Sequence, residues 1–258
     1  MKLFDTHFHL SEETNFEEYY NTAHEQNVEY MMAVGASFDE SKRVKEFAEN
    51  FDNVWYTAGS HPHHADECYD SIAMFDEFDS DKLKAVGEIG LDYFYENSDR
   101  KVQRKVFEMF LESGLKKDLP VVIHCRDKDN EDGAYADCFS MVKDFVKDGG
   151  RFEVHCYTGP QTWMEKFIEL GGYIGVTGIV TFPRAANVRD LIVHIPDDRL
   201  LLETDSPYLA PVPYRGKPNK SAYIIEVARK VASEKVMPLE ELVELATANS
   251  MKFFNIKA

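Results

Sequence analysis

Short apolar, β-rich runs recur along the chain with longer amphipathic stretches between them. Eight such runs stand out: Lys2 to Phe8, Glu29 to Val34, Val54 to Ala58, Lys84 to Glu88, Pro120 to His124, Phe152 to His155, Tyr173 to Thr177 and Leu200 to Glu203. The intervening segments repeat apolar residues at helical spacing. This is clearest near the end, where Leu239, Leu242, Val243, Ala246 and Phe253 share one face behind Pro238, a residue that suits a helix start. Val102, Val106 and Phe110 do the same earlier. Strands alternating with helices specify βαβ units and a parallel sheet, and eight such units close into a single (β/α)8 barrel of the TIM type. The length of 258 residues fits one such barrel. No repeat, low-complexity tract or Ser/Gly-rich linker marks a boundary, so residues 1–258 are read as one domain.

Composition narrows the setting. A hydrophobic fraction of 44% is ample for a large core. The four cysteines, Cys68, Cys125, Cys138 and Cys156, form no CxxC pair and are too sparse to staple the chain, which suits a reducing compartment. The opening MKLFDTHFHL puts an acid and two histidines where a signal peptide needs an apolar run, and the apolar stretch from Gly171 to Phe182 is too short for a bilayer. A cytoplasmic protein with no membrane association is expected. The formal charge of −17 counts against broad nucleic-acid binding, since affinity for phosphates comes mostly from Lys and Arg. Bound divalent ions can nevertheless invert the potential of a site inside an acidic surface.

The chemistry gathers at the C-terminal ends of the strands. His7 and His9, one residue apart, point the same way from the first strand. Glu88 closes the fourth strand in VGEIGLDY, His124 the fifth in VVIHCRD and His155 the sixth in EVHCYTG, and Asp205 follows the eighth in LLETDSP. In a barrel this is the catalytic face, whereas chance would scatter acids and histidines over both rims. Four imidazoles and two carboxylates in an apolar mouth suit two divalent ions: His7, His9 and Asp205 on one, His124 and His155 on the other, and Glu88 between them. Such a pair can activate a water and hold both oxygens of an in-line displacement, which makes phosphodiester hydrolysis the natural chemistry.

Taken together, DTHFH, GSHPHH, VGEIGLDY, VVIHCRD, VHCYTG and LLETDSPYLAPVPYRGKPN resemble the TatD family of metal-dependent deoxyribonucleases, within the amidohydrolase-like barrels, over nearly the whole chain. The resemblance implies a (β/α)8 fold, two divalent metals and hydrolysis of DNA, single-stranded or at 3′ ends, often in the 3′-to-5′ direction. It supports the six metal assignments and suggests Asp205 as the proton acceptor. The ion is open among Mg²⁺, Mn²⁺ and Zn²⁺. The main alternative is an amide, lactone or carboxylic ester hydrolase on the same bimetallic platform.

Around this centre the sequence offers further candidates. His61, His63 and His64 flank Pro62 in the loop after the third strand; His61 is expected to protonate the leaving oxygen and His63 to contact substrate phosphate. Arg126, two residues past His124, is placed to clamp a phosphate, with a salt bridge to a loop acid such as Asp127 as its rival role. Glu203 shares strand parity with Asp205 and is expected to orient a ligand imidazole. Glu153 stands where an apolar residue is expected, with Arg151 as a candidate partner. Cys125 and Cys156 each follow a ligand and are expected to point to the helix layer. Asp92 with Tyr93, and Tyr208 with Tyr214 and Arg215, are candidates to line the substrate groove.

Overall fold

The computed structural model describes residues 1–69 and 72–257. Among them, eight strands run β1 (Leu3–Phe8), β2 (Val28–Val34), β3 (Val54–Ala58), β4 (Leu83–Asp92), β5 (Val121–Arg126), β6 (Phe152–Val154), β7 (Tyr173–Val176) and β8 (Leu200–Leu202), each hydrogen-bonded in parallel to the next. β8 returns to β1 through a bridge between Phe8 and Ser206, with Asp205 N donating to His7 O at 2.8 Å and His9 N to Ser206 O at 2.7 Å. This is a TIM-type (β/α)8 barrel. The helices that cover it are α1 (Phe16–His24), α2 (Phe38–Glu49), α3 (Ala65–Cys68), α4 (Arg100–Lys117), α5 (Gly133–Lys147), α6 (Gln161–Glu169), α7 (Ala186–Ile192), α8 (Ile224–Glu234) and α9 (Leu239–Phe253). Among the described residues no helix is long and apolar enough to cross a membrane.

Helix ends follow local chemistry. Asn15 caps α1 by accepting from Glu18 N at 3.0 Å, and Ser37 caps α2 by accepting from Glu40 N at 3.2 Å. α9 starts behind Pro238, as its sequence indicates.

Alternation along the strands divides the core into two layers. On β5, Val121 and Ile123 pack into the large cluster between sheet and helices, while Val122 joins Phe4, Met32, Ala85, Tyr173 and Leu201 in the smaller one. That smaller cluster is closed by Phe253, Phe254 and Ile256 at the end of the chain.

Two strands break the alternation, and both breaks matter for the site. Strict alternation from Phe4 would send His7 to the helix layer, but the β1–β2 register shifts between Asp5 and Phe8. The β4–β5 register shifts between Val86 and Ile89, so Glu88 joins the interior while Ile89 packs under the helices. β4 also runs on to Asp92, so Glu88 lies within the strand and does not close it as its sequence suggests. The extension needs close approach to β5: Gly90 has φ +140, and a Cβ there would collide with the carbonyl oxygen of His124. β6 and β8 stop early, at Val154 and Leu202, leaving His155, Glu203 and Asp205 on the turns beyond.

Candidate metal centre

His7, His9, Glu88, His124, His155 and Asp205 converge at the C-terminal mouth of the barrel. The Glu88 carboxylate, 3% exposed, divides its oxygens between two sets of imidazoles. Oε2 lies 3.5 Å from His7 Nε2 and 3.6 Å from His9 Nε2. Oε1 lies 3.0 Å from His124 Nδ1 and 3.8 Å from His155 Nε2. Asp205 Oδ1 sits 3.6 Å from His9 Nε2 and 4.0 Å from His155 Nε2. Asp205 has φ +56, a left-handed conformation held by the two backbone hydrogen bonds that join β8 to β1.

These spacings fit a metal shell. Donors about 2.1 Å from one ion at tetrahedral angles lie about 3.4 Å apart. The His7 and His9 Nε2 atoms are 3.2 Å apart, and with Glu88 Oε2 they form one of the clusters able to hold an ion. The Nε2 atoms of these two rings face each other and the same carboxylate oxygen, an arrangement that suits a shared cation. Among the described residues buried His7 Nδ1 has no hydrogen-bond partner, and Glu203 Oε2 lies 3.8 Å from it.

The groups behind the cluster fix the rings. His155 Nδ1 meets Glu203 Oε2 at 2.9 Å, and Cys156 N donates to Glu203 Oε1 at 2.5 Å. Glu203 has room only because β7 carries Gly175, where a Cβ would collide with its carboxylate. His9 Nδ1 pairs with Val34 O at 3.1 Å and lies 3.7 Å from Glu40, a residue of α2 that the sequence did not single out. His124 Nε2 meets Asp92 Oδ2 at 3.0 Å, and His63 Nε2 approaches the same oxygen at 3.2 Å. Asp92 Oδ1 accepts from Phe94 N and Tyr95 N. Asp92 is thus a buried organiser of two histidines, a role that became visible once β4 proved to extend to it.

Electrostatics in the metal-free protein keep the carboxylates charged. Burial would raise the Glu88 pKa, but the surrounding imidazoles of His61, His155, His124 and His7 hold it well below the usual range. Asp205 is depressed the same way, against burial, by His9, His155 and His7. Burial would lower His124, yet Asp92 and Glu88 push it up to about 9, and Glu203 and Glu88 push His155 up to about 9 against the same opposing effect. His7 is lowered by burial and by the charge of His155.

The other expected positions divide. His61, His63 and Arg126 line the mouth, a cavity of about 1080 Å³. His61 Nε2 is 3.8 Å from Glu88 Oε1; burial and the charge of His124 push its pKa well below normal. Arg126 lays its guanidinium over Phe94 at 4.2 Å and Tyr95 at 5.0 Å, with no ion pair to Asp127. His64 faces Glu67 at the surface. Tyr208 lines the mouth and is 62% exposed. Tyr93 is buried and bonds Asp137, and Tyr214 stacks on Tyr223, so neither lines it. Arg151 pairs with Asp118, and both Glu153 oxygens are buried without a hydrogen-bond partner among the described residues. Cys125 faces Cys138 of α5, toward the helix layer. Cys156 does not: its φ of +46 breaks alternation after β6, and its thiol lies 3.2 Å from Thr177 Oγ1 beside His155 and Asp205.

Comparison with known proteins agrees with this geometry. A family model described as TatD related DNase matches residues 4–255. An uncharacterized metal-dependent hydrolase of Bacillus subtilis, YabD, is 34% identical over 98% of this chain and 99% of its own. The 3'-5' ssDNA/RNA exonuclease TatD of Citrobacter rodentium is 30% identical over 91% of this chain and 89% of its own. The crystal structure of the TatD homolog YJJV from Escherichia coli superposes with a TM-score of 0.88 and 27% identity, covering 99% of this chain and 98% of that one.

Proposed function

The chain belongs to the family of TatD-related DNases and is a metal-dependent hydrolase, and on that premise we propose that it is a DNA exonuclease that hydrolyses phosphodiesters from the 3′ end of single-stranded DNA. The observation that carries this reading is the Glu88 carboxylate, whose two oxygens face separate histidine sets. We assign His7, His9 and Asp205 to one divalent ion, His124 and His155 to a second, and Glu88 to both. When bound, two such ions supply a polarised phosphoryl group and an activated water.

The chain's own residues supply positioning and proton transfer. Asp205 is held ionised by its histidine neighbours, so it is ready to accept the proton of the attacking water. His61 lines the mouth 3.8 Å from Glu88 Oε1, and its proposed part is to protonate the leaving oxygen. His63, braced by Asp92, and Arg126, braced by two aromatic rings, face the mouth where substrate phosphates would lie. Glu203 holds His155 in its ligating orientation. Four cysteines, too sparse to staple a chain of this length, suit a cytoplasmic setting.

The test takes metal-stripped protein, restores Mg²⁺, Mn²⁺ or Zn²⁺ in turn, and follows mononucleotide release from single-stranded DNA labelled at either end. Asp205→Asn should lower the rate by roughly 100- to 10,000-fold, the scale of a lost general base. Turnover of carboxylic esters or lactones with no nucleotide release would replace this reading with a small-molecule hydrolase, which the −17 charge would suit.

A further inference from the structure

Acidic residues are unevenly spread around the mouth. At the chain's average of 46 acids in 258 residues, the 39 residues of Gly171–Arg189 and Ser206–Ile225 together would carry about seven; they carry none. They do carry Arg184, Arg189, Arg215, Lys217 and Lys220. These stretches comprise β7 and the segments that follow β7 and β8, up to the starts of α7 and α8, on the same face as the metal cluster. Across the mouth, beyond β1 and β2, the lining includes Glu12, Asp39 and Glu40.

The cations of the β7–β8 side are available and partly fixed. Arg184, Arg215 and Lys217 are exposed and Lys220 is half-buried; among the described residues none of the four has a carboxylate partner. Arg189, by contrast, is committed to the carbonyls of Val180, Phe182 and Pro183. Arg215 rests on the Phe182 ring at 3.7 Å, which ties the two loops together. Lys220 lies 5.1 Å over Tyr223, whose ring stacks on Tyr214 at 3.7 Å. A second cavity of about 460 Å³ opens beside Tyr214, Lys220 and Tyr223. The loop therefore has one end at the mouth, where Tyr208 is exposed, and its other end at an aromatic groove whose far wall mixes Glu25 and Glu226 with Arg229, so that the loop itself supplies the acid-free side.

We propose that this rim is a track for single-stranded nucleic acid, with Arg215, Lys217 and Lys220 taking phosphates of the strand outside the mouth. Cations along a groove with aromatic faces are the chemistry that binds single strands without sequence preference. The acidic β1–β2 side repels the same strand, so the track also sets the direction in which the substrate leaves the mouth. The inference rests on the nuclease reading of the metal centre.

The experiment compares wild type with Lys217→Gln/Lys220→Gln, both metal-loaded. It measures affinity for a fluorescent phosphorothioate 20-mer by anisotropy across 50–200 mM salt, and turnover of a phosphodiester 20-mer and of bis(4-nitrophenyl) phosphate. Two lost phosphate contacts should make the log–log salt slope shallower by about 1.4 and weaken strand affinity by roughly 10-fold, while hydrolysis of the small ester keeps its rate. Lys217→Glu alone, at an exposed site that does not threaten the fold, should weaken strand binding in the same direction. Unchanged affinity and slope would overturn the track, as would an equal loss on strand and small ester. Failure of the nuclease reading has a different signature: no strand is cut by wild type, while the affinity loss in the variant still reports the track.

Discussion

At the lower end of the barrel, Phe4, Met32, Val122, Tyr173 and Leu201 close under Phe253, Phe254 and Ile256. A few residues further along the same strands, the interior carries His7, Glu88, His124, His155, Glu203 and Asp205. The lower end gains stability from buried apolar area and makes no demand on solvent or ions. The upper end concentrates desolvated charge, which is costly unless a cation or a dense set of hydrogen bonds answers it. One scaffold thus separates folding energy from chemistry along its axis, and substitutions at the two ends should fail in different ways.

The largest contrast is expected from Glu88→Ala. One carboxylate faces both histidine sets, so nuclease turnover should fall at least about 1000-fold while far-UV circular dichroism still reports an intact barrel. Retained activity would break the two-ion assignment. Phe254→Ala should do the opposite. Phe254 is 1% exposed and its ring is 4.7 Å from that of Phe253, so truncation should cost about 3–5 kcal/mol in denaturant unfolding and leave turnover per folded molecule unchanged.

A smaller effect is expected one step behind the ligands. Glu203→Gln weakens the support of His155 Nδ1 and should lower metal affinity by roughly 10- to 100-fold, read by titration calorimetry. An unchanged affinity would mean that packing alone orients the ring.

The smallest effect tests where the two ends meet. Glu153 pairs in register with Val122 and Tyr173, at the boundary of the apolar layer. Burial, and after it the charge of Glu203, pushes its carboxyl well above the usual range. Such a group binds more protons folded than unfolded. Its cost to stability is therefore absent below the ordinary carboxylate range and grows as pH rises from there toward the folded value. Glu153→Gln removes that cost, so its gain in unfolding free energy over wild type, read by denaturant titration, should widen between pH 5 and pH 8, by about 1–3 kcal/mol at the upper end. An equal gain at both values would show that a charged Glu153 is not being penalised.

Much of this could be read from the chain. All eight strands and the helix behind Pro238 follow from hydrophobic periodicity, because each strand buries at least one full face and each helix one stripe. The candidate ligand set was legible because six side chains of types that can bind metal recur toward the C-terminal ends of the strands, a coincidence that local sequence exposes. Less legible was anything that depends on strand length or on a neighbour. Asp92 belongs with His124 because β4 runs four residues past Glu88, and Glu203 fits because Gly175 on the adjacent strand yields space. Arg126 lies on Phe94 and Tyr95, which a count of nearby acids does not reveal.

The sequence by itself determined the barrel and the residue types gathered at its mouth, since these depend on periodicity and order along the chain. Tertiary structure decided which way the side chains face where alternation fails. The register shifts in β1 and β4 turn His7 and Glu88 inward, and the left-handed turn at Cys156 carries its thiol away from the helix layer. The physical reason is that a bulge or a positive φ changes side-chain direction by one residue, and its position is set by pairing with the next strand, which no single segment of sequence contains.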